Sequence, residues 1–268
     1  MKKVLIIVII LLSNYSYGNY NRKNAINLDR YNSISAIKIP NNNTTIASIK
    51  RYMNYSWLEK SLSVLNFYEP MIENKLSSYG LPLELKNLIL VESAVNPRAI
   101  SHVGAKGLWQ FMPGTAKEYN LLWNNQIDLR YDPVASTDAA CRLLKNLFIR
   151  YRSWALALSA YNCGPGNVNK AIRKAGSKNY WNVRKYLPKE TQNYVPSFYA
   201  CSYINTMSNY HNFNNYSFPI SYKDVQILKT NTPTLLSDLK VKSEYVKFLN
   251  PHILTNTVPK NTYIYILK

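Results

Sequence analysis

The sequence predicts a mainly α-helical protein with a small extension of mixed helix and strand at its C-terminal end. Helix start and stop signals recur from about residue 50 to residue 208, and no alternating strand pattern interrupts them. After Tyr210 the character changes, and short runs rich in β-branched and aromatic residues, which are typical of strands, appear. These observations predict an all-helical domain that is followed along the chain by a smaller C-terminal extension.

Composition indicates a folded protein with a basic surface. Of the 268 residues, 47% are hydrophobic and 18% are charged, which excludes a disordered polyelectrolyte. The formal net charge of +19 would suit an anionic partner, although a general enrichment in Lys, Asn, Ile and Tyr explains it equally well. No nucleic-acid-binding motif is present, so we expect no nucleic-acid partner.

The N-terminus predicts export. Two lysines precede an apolar run over residues 4–12, and small residues follow at Ser16 and Gly18. This pattern is typical of a signal peptide, here spanning residues 1–18, with an uncleaved membrane anchor as the alternative. We therefore expect an exported protein, periplasmic or associated with the cell envelope. Residues 19–50 are rich in Asn and Ser and predict a poorly ordered leader.

Local signals divide the helical region into separate helices. Asp132 and Pro133 have the residue types of an N-cap and a first helical residue, and Gly164 stands in a helix-breaking segment. The predicted helices span residues 55–79, 83–93, 133–151 and 154–161, with others beginning near residues 114, 168 and 190. The tail is predicted as a strand at 224–228, helices at 234–241 and 243–249, and a strand at 263–267.

Glu92 is the residue that most strongly suggests chemistry. It follows Leu88 by four residues and Ile89 by three, so it shares the apolar face of its predicted helix. Burial would disfavour the ionised carboxylate, raise its pKa and keep it protonated near neutral pH, as a general acid requires. From this helix alone, a Glu that reaches solvent or pairs with a Lys is the more frequent explanation.

Several short motifs follow Glu92 in a fixed order. They are Glu92-Ser93, Asn96-Pro97, Ser101, the glycine-rich residues 104–110, Met112-Pro113, residues 160–164 and residues 190–195. Together they closely resemble the soluble-lytic-transglycosylase domain of glycoside hydrolase family 23, which has a lysozyme-like fold. The resemblance covers roughly residues 65–208. This domain together with the C-terminal tail most resembles the membrane-bound lytic murein transglycosylase D type.

The resemblance implies a role for eight positions of this sequence. Glu92 matches the single catalytic residue. The matches to substrate-binding positions are Ser101, Gln110, Met112, Tyr161, Asn162, Glu190 and Tyr194. Tyr161 and Asn162 are expected beside the catalytic carboxylate, with the Tyr161 hydroxyl within its reach.

Most of these positions also have a purely structural explanation. Gln110 could support the loop that carries it, and Tyr161 and Asn162 could cap a helix end. Glu190 could be a favourable charge in the first turn of a helix. Candidates for a second catalytic carboxylate are Asp128, Asp132 and Asp138.

The resemblance implies a peptidoglycan lytic transglycosylase with one catalytic carboxylate. The Glu protonates the glycosidic oxygen between N-acetylmuramic acid and N-acetylglucosamine, then deprotonates the C6 hydroxyl of the muramic acid, which closes onto C1 as a 1,6-anhydro end. No metal or cofactor is needed, and peptidoglycan strands are the expected partner. The alternatives are a hydrolysing muramidase of goose-type-lysozyme character and a non-catalytic peptidoglycan-binding protein.

Domain boundaries follow from these assignments. We expect the catalytic domain over residues 51–210 and the extension over residues 211–268. The strand-helix-helix-strand order of the extension resembles a degenerate LysM peptidoglycan-binding module, but no Gly-Asp turn follows its first strand. A structural extension that packs on the catalytic domain is the other interpretation.

Overall fold

The computed structural model describes residues 25–211, 213, 218–239 and 243–268, so the predicted signal peptide at residues 1–18 lies outside them. The helices are α1 (Leu28–Ile34), α2 (Asn43–Met53), α3 (Ser56–Ser78), α4 (Leu88–Ser93), α5 (Pro113–Glu118), α6 (Pro133–Tyr151), α7 (Trp154–Ala175), α8 (Tyr180–Val183), α9 (Thr191–Thr206) and α10 (Ser243–Leu249). The strands are β1 (Val225–Lys229), β2 (Thr234–Leu235), β3 (Thr257–Val258) and β4 (Tyr263–Leu267). The predicted mainly helical fold with a small C-terminal sheet is confirmed.

The predicted helix boundaries hold where the signals are strong. The carboxylate of Asp132 caps α6 by accepting hydrogen bonds from the N–H groups of Val134 at 2.9 Å and Ala135 at 3.0 Å. Gly164, with φ of +81°, kinks α7, so the two helices predicted on either side of it form one bent element. The helix predicted over residues 83–93 begins instead as a 3-10 turn and becomes α-helical only at α4.

The predicted poorly ordered leader contains two helices within residues 25–50 and just beyond, which corrects that expectation. α2 packs against α9, and Ile49 of α2 is fully buried. The asparagines that suggested disorder are helix caps: the side chains of Asn27 and Asn42 each accept a hydrogen bond from the backbone N–H three residues later. The prediction was wrong because these helices are short and are flanked by polar capping residues. Their few apolar positions therefore do not form a visible period in the sequence.

The extension has both predicted outer strands but only one of the two predicted helices. β1 pairs antiparallel with β4, and α10 coincides with the second predicted helix. Residues 234–241, described up to 239, were predicted to be helical, but Thr234 and Leu235 form β2, which pairs with β3. A single 3-10 turn follows them. Thr234 lies opposite Val258, and such β-branched pairs favour strand over helix.

The extension packs directly on the helical region. The N–H of Asp128 donates to the carbonyl of His252 at 3.0 Å, and the N–H of Leu254 donates to the carbonyl of Gln126 at 2.9 Å. The Tyr265 hydroxyl of β4 donates to the carboxylate of Asp132 at 2.8 Å. One buried carboxylate therefore caps α6 and also holds the last strand, as expected of an extension that packs on the helical domain.

We expect Tyr265→Phe to lower the free energy of unfolding by about 2 kcal/mol, because it removes a buried hydrogen bond to a carboxylate. Tyr263→Phe is the matched control on the same strand. Its side chain is 54% exposed, so its loss should be under about 0.5 kcal/mol. Urea unfolding measures both variants, and equal small losses would contradict the importance of the Tyr265 contact.

Candidate active site

Glu92 occupies the last turn of α4, where the helix leaves the core. Residues 88–90 of this helix are buried, whereas Glu92 is partly exposed. The helix ends one residue later, at Ser93, because Ala94 and Val95 adopt left-handed backbone conformations with φ of +49° and +60°. The short helix thus presents one carboxyl group at the boundary between core and solvent.

The surroundings of Glu92 raise its pKa above that of a glutamate in water. Burial raises its pKa from the ordinary 4.5 to about 7, and the negative charge of Glu190 acts in the same direction. A hydrogen bond from the Tyr194 hydroxyl to Oε1 opposes this increase. A carboxyl group with such a pKa populates both protonation states near neutral pH, so it can donate a proton and then accept one.

Two tyrosines lie near Glu92, the buried Tyr194 and the partly buried Tyr161, and they have different hydrogen-bond partners. Tyr194, from α9, donates its hydroxyl to the carboxylate itself. Tyr161, from α7, was expected to have its hydroxyl within reach of Glu92, but that hydroxyl donates to the carbonyl of Trp109 at 2.7 Å. Burial raises the pKa of both phenols well above the ordinary 10, so both are neutral donors.

The side chain of Ser93, which is not among the predicted site residues, connects α4 to the loop that follows it. The Ser93 hydroxyl lies 2.9 Å from the carbonyl oxygen of Leu108. The next residue of the loop, Trp109, is fully buried, and its Nε1 donates to Oγ1 of Thr137 at 2.8 Å. Ser93 thereby sets the position of the loop relative to the neighbouring Glu92, and its place in the Glu-Ser motif was the available signal.

The glycines of this loop have different structural roles. Gly107 has φ of +80°, and a Cβ atom there would lie 1.9 Å from the carbonyl oxygen of Arg130. Gly104 has φ of +86°, but a Cβ atom there would meet nothing within 4 Å. Gly104 therefore serves a turn, whereas Gly107 also permits a close approach between two backbone segments.

Three of the predicted substrate-binding residues lie on or next to this loop. Oγ of Ser101 accepts a hydrogen bond from the N–H of Ala105 at 2.9 Å. Nε2 of Gln110 donates to the carbonyl of Gly107 at 2.8 Å, which agrees with a Gln that supports its own loop. Met112 is 42% exposed. Ser101 and Gln110 are thus held in place by the loop, and Met112 offers a free apolar surface.

The remaining predicted residues lie where α7 and α9 approach each other. Oδ1 of Asn162 accepts a hydrogen bond from the Thr191 hydroxyl at 2.7 Å, so Asn162 connects the two helices. Glu190 immediately precedes α9 and is exposed, and its charge acts on both Glu92 and Tyr194. Thr191 was not singled out from the sequence, because its partner is distant along the chain.

The aspartates considered as a second catalytic carboxylate are engaged in structural contacts. Asp128 is buried and forms an ion pair with Arg130 at 2.7 Å. Asp132 caps α6, and Asp138 pairs with Arg142 at 3.1 Å one helical turn away. These contacts account for all three side chains without a catalytic role.

Two further features concern only the part of the chain that the structure describes. No group of three or more His, Cys, Asp or Glu side chains there could bind a metal ion. The helices of that part are each too short or too polar to cross a membrane.

The class of this protein is indicated by its fold and its site. The domain is mainly helical, and one carboxyl group of raised pKa lies beside a glycine-rich loop. Residues 69–184 match the family described as the Transglycosylase SLT domain. This segment of the chain is therefore similar to that family, which confirms the resemblance based on the motifs.

Named relatives share the same region. Membrane-bound lytic murein transglycosylase D of Escherichia coli (strain K12) is 36% identical over 172 residues, which cover 62% of this chain and 38% of the relative. A putative tributyltin chloride resistance protein of Alteromonas sp. (strain M-1) is 33% identical over 124 residues, covering 46% and 59%. The transglycosylase of Enterobacteria phage PRD1 is 35% identical over 105 residues, covering 39% and 36%. The chain spans less than two thirds of each relative.

Two solved structures of lytic transglycosylases match part of this chain. The 70 kDa soluble lytic transglycosylase of Escherichia coli has a TM-score of 0.46 and 23% identity, covering 61% of this chain and 30% of that chain. An inactive mutant of lytic transglycosylase Slt from Pseudomonas aeruginosa has a TM-score of 0.49 and 21% identity, covering 62% and 30%.

Proposed function

We propose that this protein is a peptidoglycan lytic transglycosylase in which Glu92 is the single catalytic acid and base. The observation that carries the proposal is the raised pKa of Glu92, about 7, within a domain similar to the SLT family. The Escherichia coli relative is named a lytic murein transglycosylase, which supports murein, the bacterial peptidoglycan, as the substrate class.

In the proposed reaction, Glu92 first gives its proton to the glycosidic oxygen between N-acetylmuramic acid and N-acetylglucosamine. The bond from that oxygen to C1 of the muramic acid breaks, its electron pair stays on the oxygen, and C1 gains oxocarbenium character. The Glu92 carboxylate then accepts the proton of the C6 hydroxyl while O6 bonds to C1. Glu92 ends protonated, as it began, and the nucleophile is already held beside C1.

The neighbouring residues orient this carboxyl group and form the wall of the cleft. Tyr194 holds Oε1, which leaves Oε2 as the oxygen that exchanges protons with the substrate. Ser101, Gln110 and Met112 line the side formed by the loop, where polar groups and an apolar surface suit an N-acetylated sugar. Asn162 and Glu190 are assigned to the opposite wall, near the start of α9.

The proposal is tested by digestion of purified peptidoglycan and mass spectrometry of the products. A lytic transglycosylase leaves 1,6-anhydromuramic ends. A hydrolysing muramidase would leave ends heavier by one water, which would overturn the mechanism but not the site. The absence of any released fragment would favour a binding protein without activity.

We expect Tyr194→Phe to move the alkaline side of the pH–activity profile to higher pH. The hydrogen bond from Tyr194 lowers the pKa of Glu92, so its removal lets that pKa rise and keeps the acid protonated further into the alkaline range. Tyr161→Phe is the matched control, because its hydroxyl binds the Trp109 carbonyl. Initial rates of peptidoglycan clearing from about pH 5 to 9 measure both, and identical shifts in the two variants would refute the assignment.

We further propose that the enzyme acts in the cell envelope after export. The signal-peptide pattern of residues 1–18 supports export, and the name of the Escherichia coli relative is consistent with an envelope location. The catalytic domain is assigned to residues 51–210, preceded by α1 and most of α2, and the extension to residues 211–268. The resemblance of the extension to a LysM module stays a prediction.

A further inference from the structure

A cavity of about 860 Å³ lies where the helical region meets the extension. One side is formed by Lys75 and by residues between 119 and 142 of the helical region, and the other by His252 and residues of β1, β4 and the segment before β4. None of the eight candidate active-site residues contributes to its lining. Its volume lies within the range of sites that bind small organic ligands. It is therefore a separate feature from the proposed active site.

The cavity displays apolar side chains that the fold leaves uncovered. Leu122 is 63% exposed, Ile227 is 49% exposed and Tyr263 is 54% exposed, and all three line it. Trp123 also contributes to the wall, and the guanidinium of Arg130 lies 4.4 Å from the centre of its ring. Large apolar side chains from two different parts of the chain thus converge on one exposed concave surface, which is typical of a binding site.

Polar groups without full hydrogen bonding accompany these apolar residues. Asn120 and Asn261 line the cavity and are exposed, so their amides can donate to and accept from a ligand. His252 lines it as well, is fully buried, and its Nδ1 has no hydrogen-bond partner among the described residues. A buried imidazole nitrogen without a partner is unfavourable, and a ligand hydroxyl would satisfy it.

The charged residues of the cavity wall are already paired within the protein. Asp138 forms ion pairs with Lys75 at 3.3 Å and with Arg142 at 3.1 Å. The carboxylate of Asp132 accepts hydrogen bonds from the first turn of α6 and from Tyr265. Charges compensated in this way do not select for an ionic ligand, so the cavity is suited to a neutral one.

We propose that this cavity is a second glycan-binding site that takes the neutral N-acetylglucosamine units of a glycan chain. The apolar faces of the sugar rings pack on Tyr263 and Leu122, and the hydroxyl and acetamido groups meet the asparagine amides and His252. The choice of ligand rests on the proposed function, because the substrate polymer carries such sugars. The site would retain a glycan strand while Glu92 cleaves it elsewhere.

The test uses the full chain with Glu92→Gln, so that the probe is not cleaved. Isotope-labelled protein is titrated with tetra-N-acetylchitotetraose, and amide resonances are followed by NMR. We expect perturbed amides at residues 121–124 and 261–263, in addition to any near Ser101 and Gln110. Perturbations confined to the active-site loop would overturn the cavity proposal and leave the proposed function intact. This mapping needs no further substitution in the cavity.

A double variant then measures the contribution of the cavity. In the Glu92→Gln background, Leu122→Ser with Tyr263→Ala should weaken binding at the cavity at least ~10-fold and leave perturbations near Ser101 unchanged. The matched control, Ile149→Ser with Tyr186→Ala, also changes exposed residues but lies outside the cavity and should bind as the parent does. Equal binding by both double variants would contradict the proposal. The Glu92→Gln protein could bind at the cavity while the unsubstituted protein releases no anhydro product. That result would contradict the proposed function alone.

Discussion

Glu92→Gln should reduce the release of 1,6-anhydro products by roughly 10³- to 10⁴-fold. General acid–base catalysis contributes about 10² to 10⁴ to a rate, and the upper part applies because the same group acts in both proton transfers. An amide of the same shape can still accept the Tyr194 hydrogen bond but cannot protonate the glycosidic oxygen. Quantification of anhydro products from purified peptidoglycan measures the effect.

A matched control separates this effect from loss of any acidic side chain. Glu118 is an exposed residue at the end of α5, and Glu118→Gln should keep full activity. Glu92→Gln should also fold normally, since it replaces a carboxyl group that is costly to ionise in this environment with a neutral group. Full lytic activity of a folded Glu92→Gln protein would show that the acid/base has been assigned to the wrong residue.

Gly107→Ala should lower the free energy of unfolding by about 3 kcal/mol or more. A side chain in the left-handed region costs about 1 kcal/mol, and the added Cβ would lie 1.9 Å from the carbonyl oxygen of Arg130, so the backbone has to move. For a domain of this size the melting temperature should fall by roughly 6–12 °C. Thermal unfolding followed by circular dichroism measures the loss.

Gly104→Ala provides the comparison for Gly107→Ala. Gly104 has a similar positive φ but no atom near the position of a Cβ, so only the backbone penalty of about 1 kcal/mol applies. Activity should follow the same order, because displacement of the loop changes the position of Ser101 and Met112 relative to Glu92. Similar stability losses in both variants would mean that the approach to Arg130 is unimportant.

The sequence predicted the parts of the fold that depend on local signals. Asp132 and Pro133 define the start of α6, and an apolar stripe bounded by Gly80 defines α3. The failures occurred where two local signals compete. The asparagine caps of α1 and α2 suggested disorder, and the short segment at Thr234 suggested a helix although its partner strand lies more than 20 residues away.

The candidate site was predicted less completely than the fold. The apolar face around Glu92 correctly indicated the direction of its pKa shift. Which tyrosine donates to Glu92 depends on how α7 and α9 cross, and sequence spacing within one helix carries no information about that. The contacts of Ser93 with Leu108 and of Thr191 with Asn162 were not predicted either, because each joins residues that are distant along the chain.

The carboxylate shared by α6 and β4 also determines how this protein can be dissected. Asp132 satisfies the first N–H groups of α6 and the Tyr265 hydroxyl at the same time, so the two parts have a common buried polar network. Deleting the extension would remove a partner from that network and expose the apolar surface beneath it. The extension is therefore not an independent cassette that can be exchanged between proteins, and point substitutions on its surface are the appropriate way to study it.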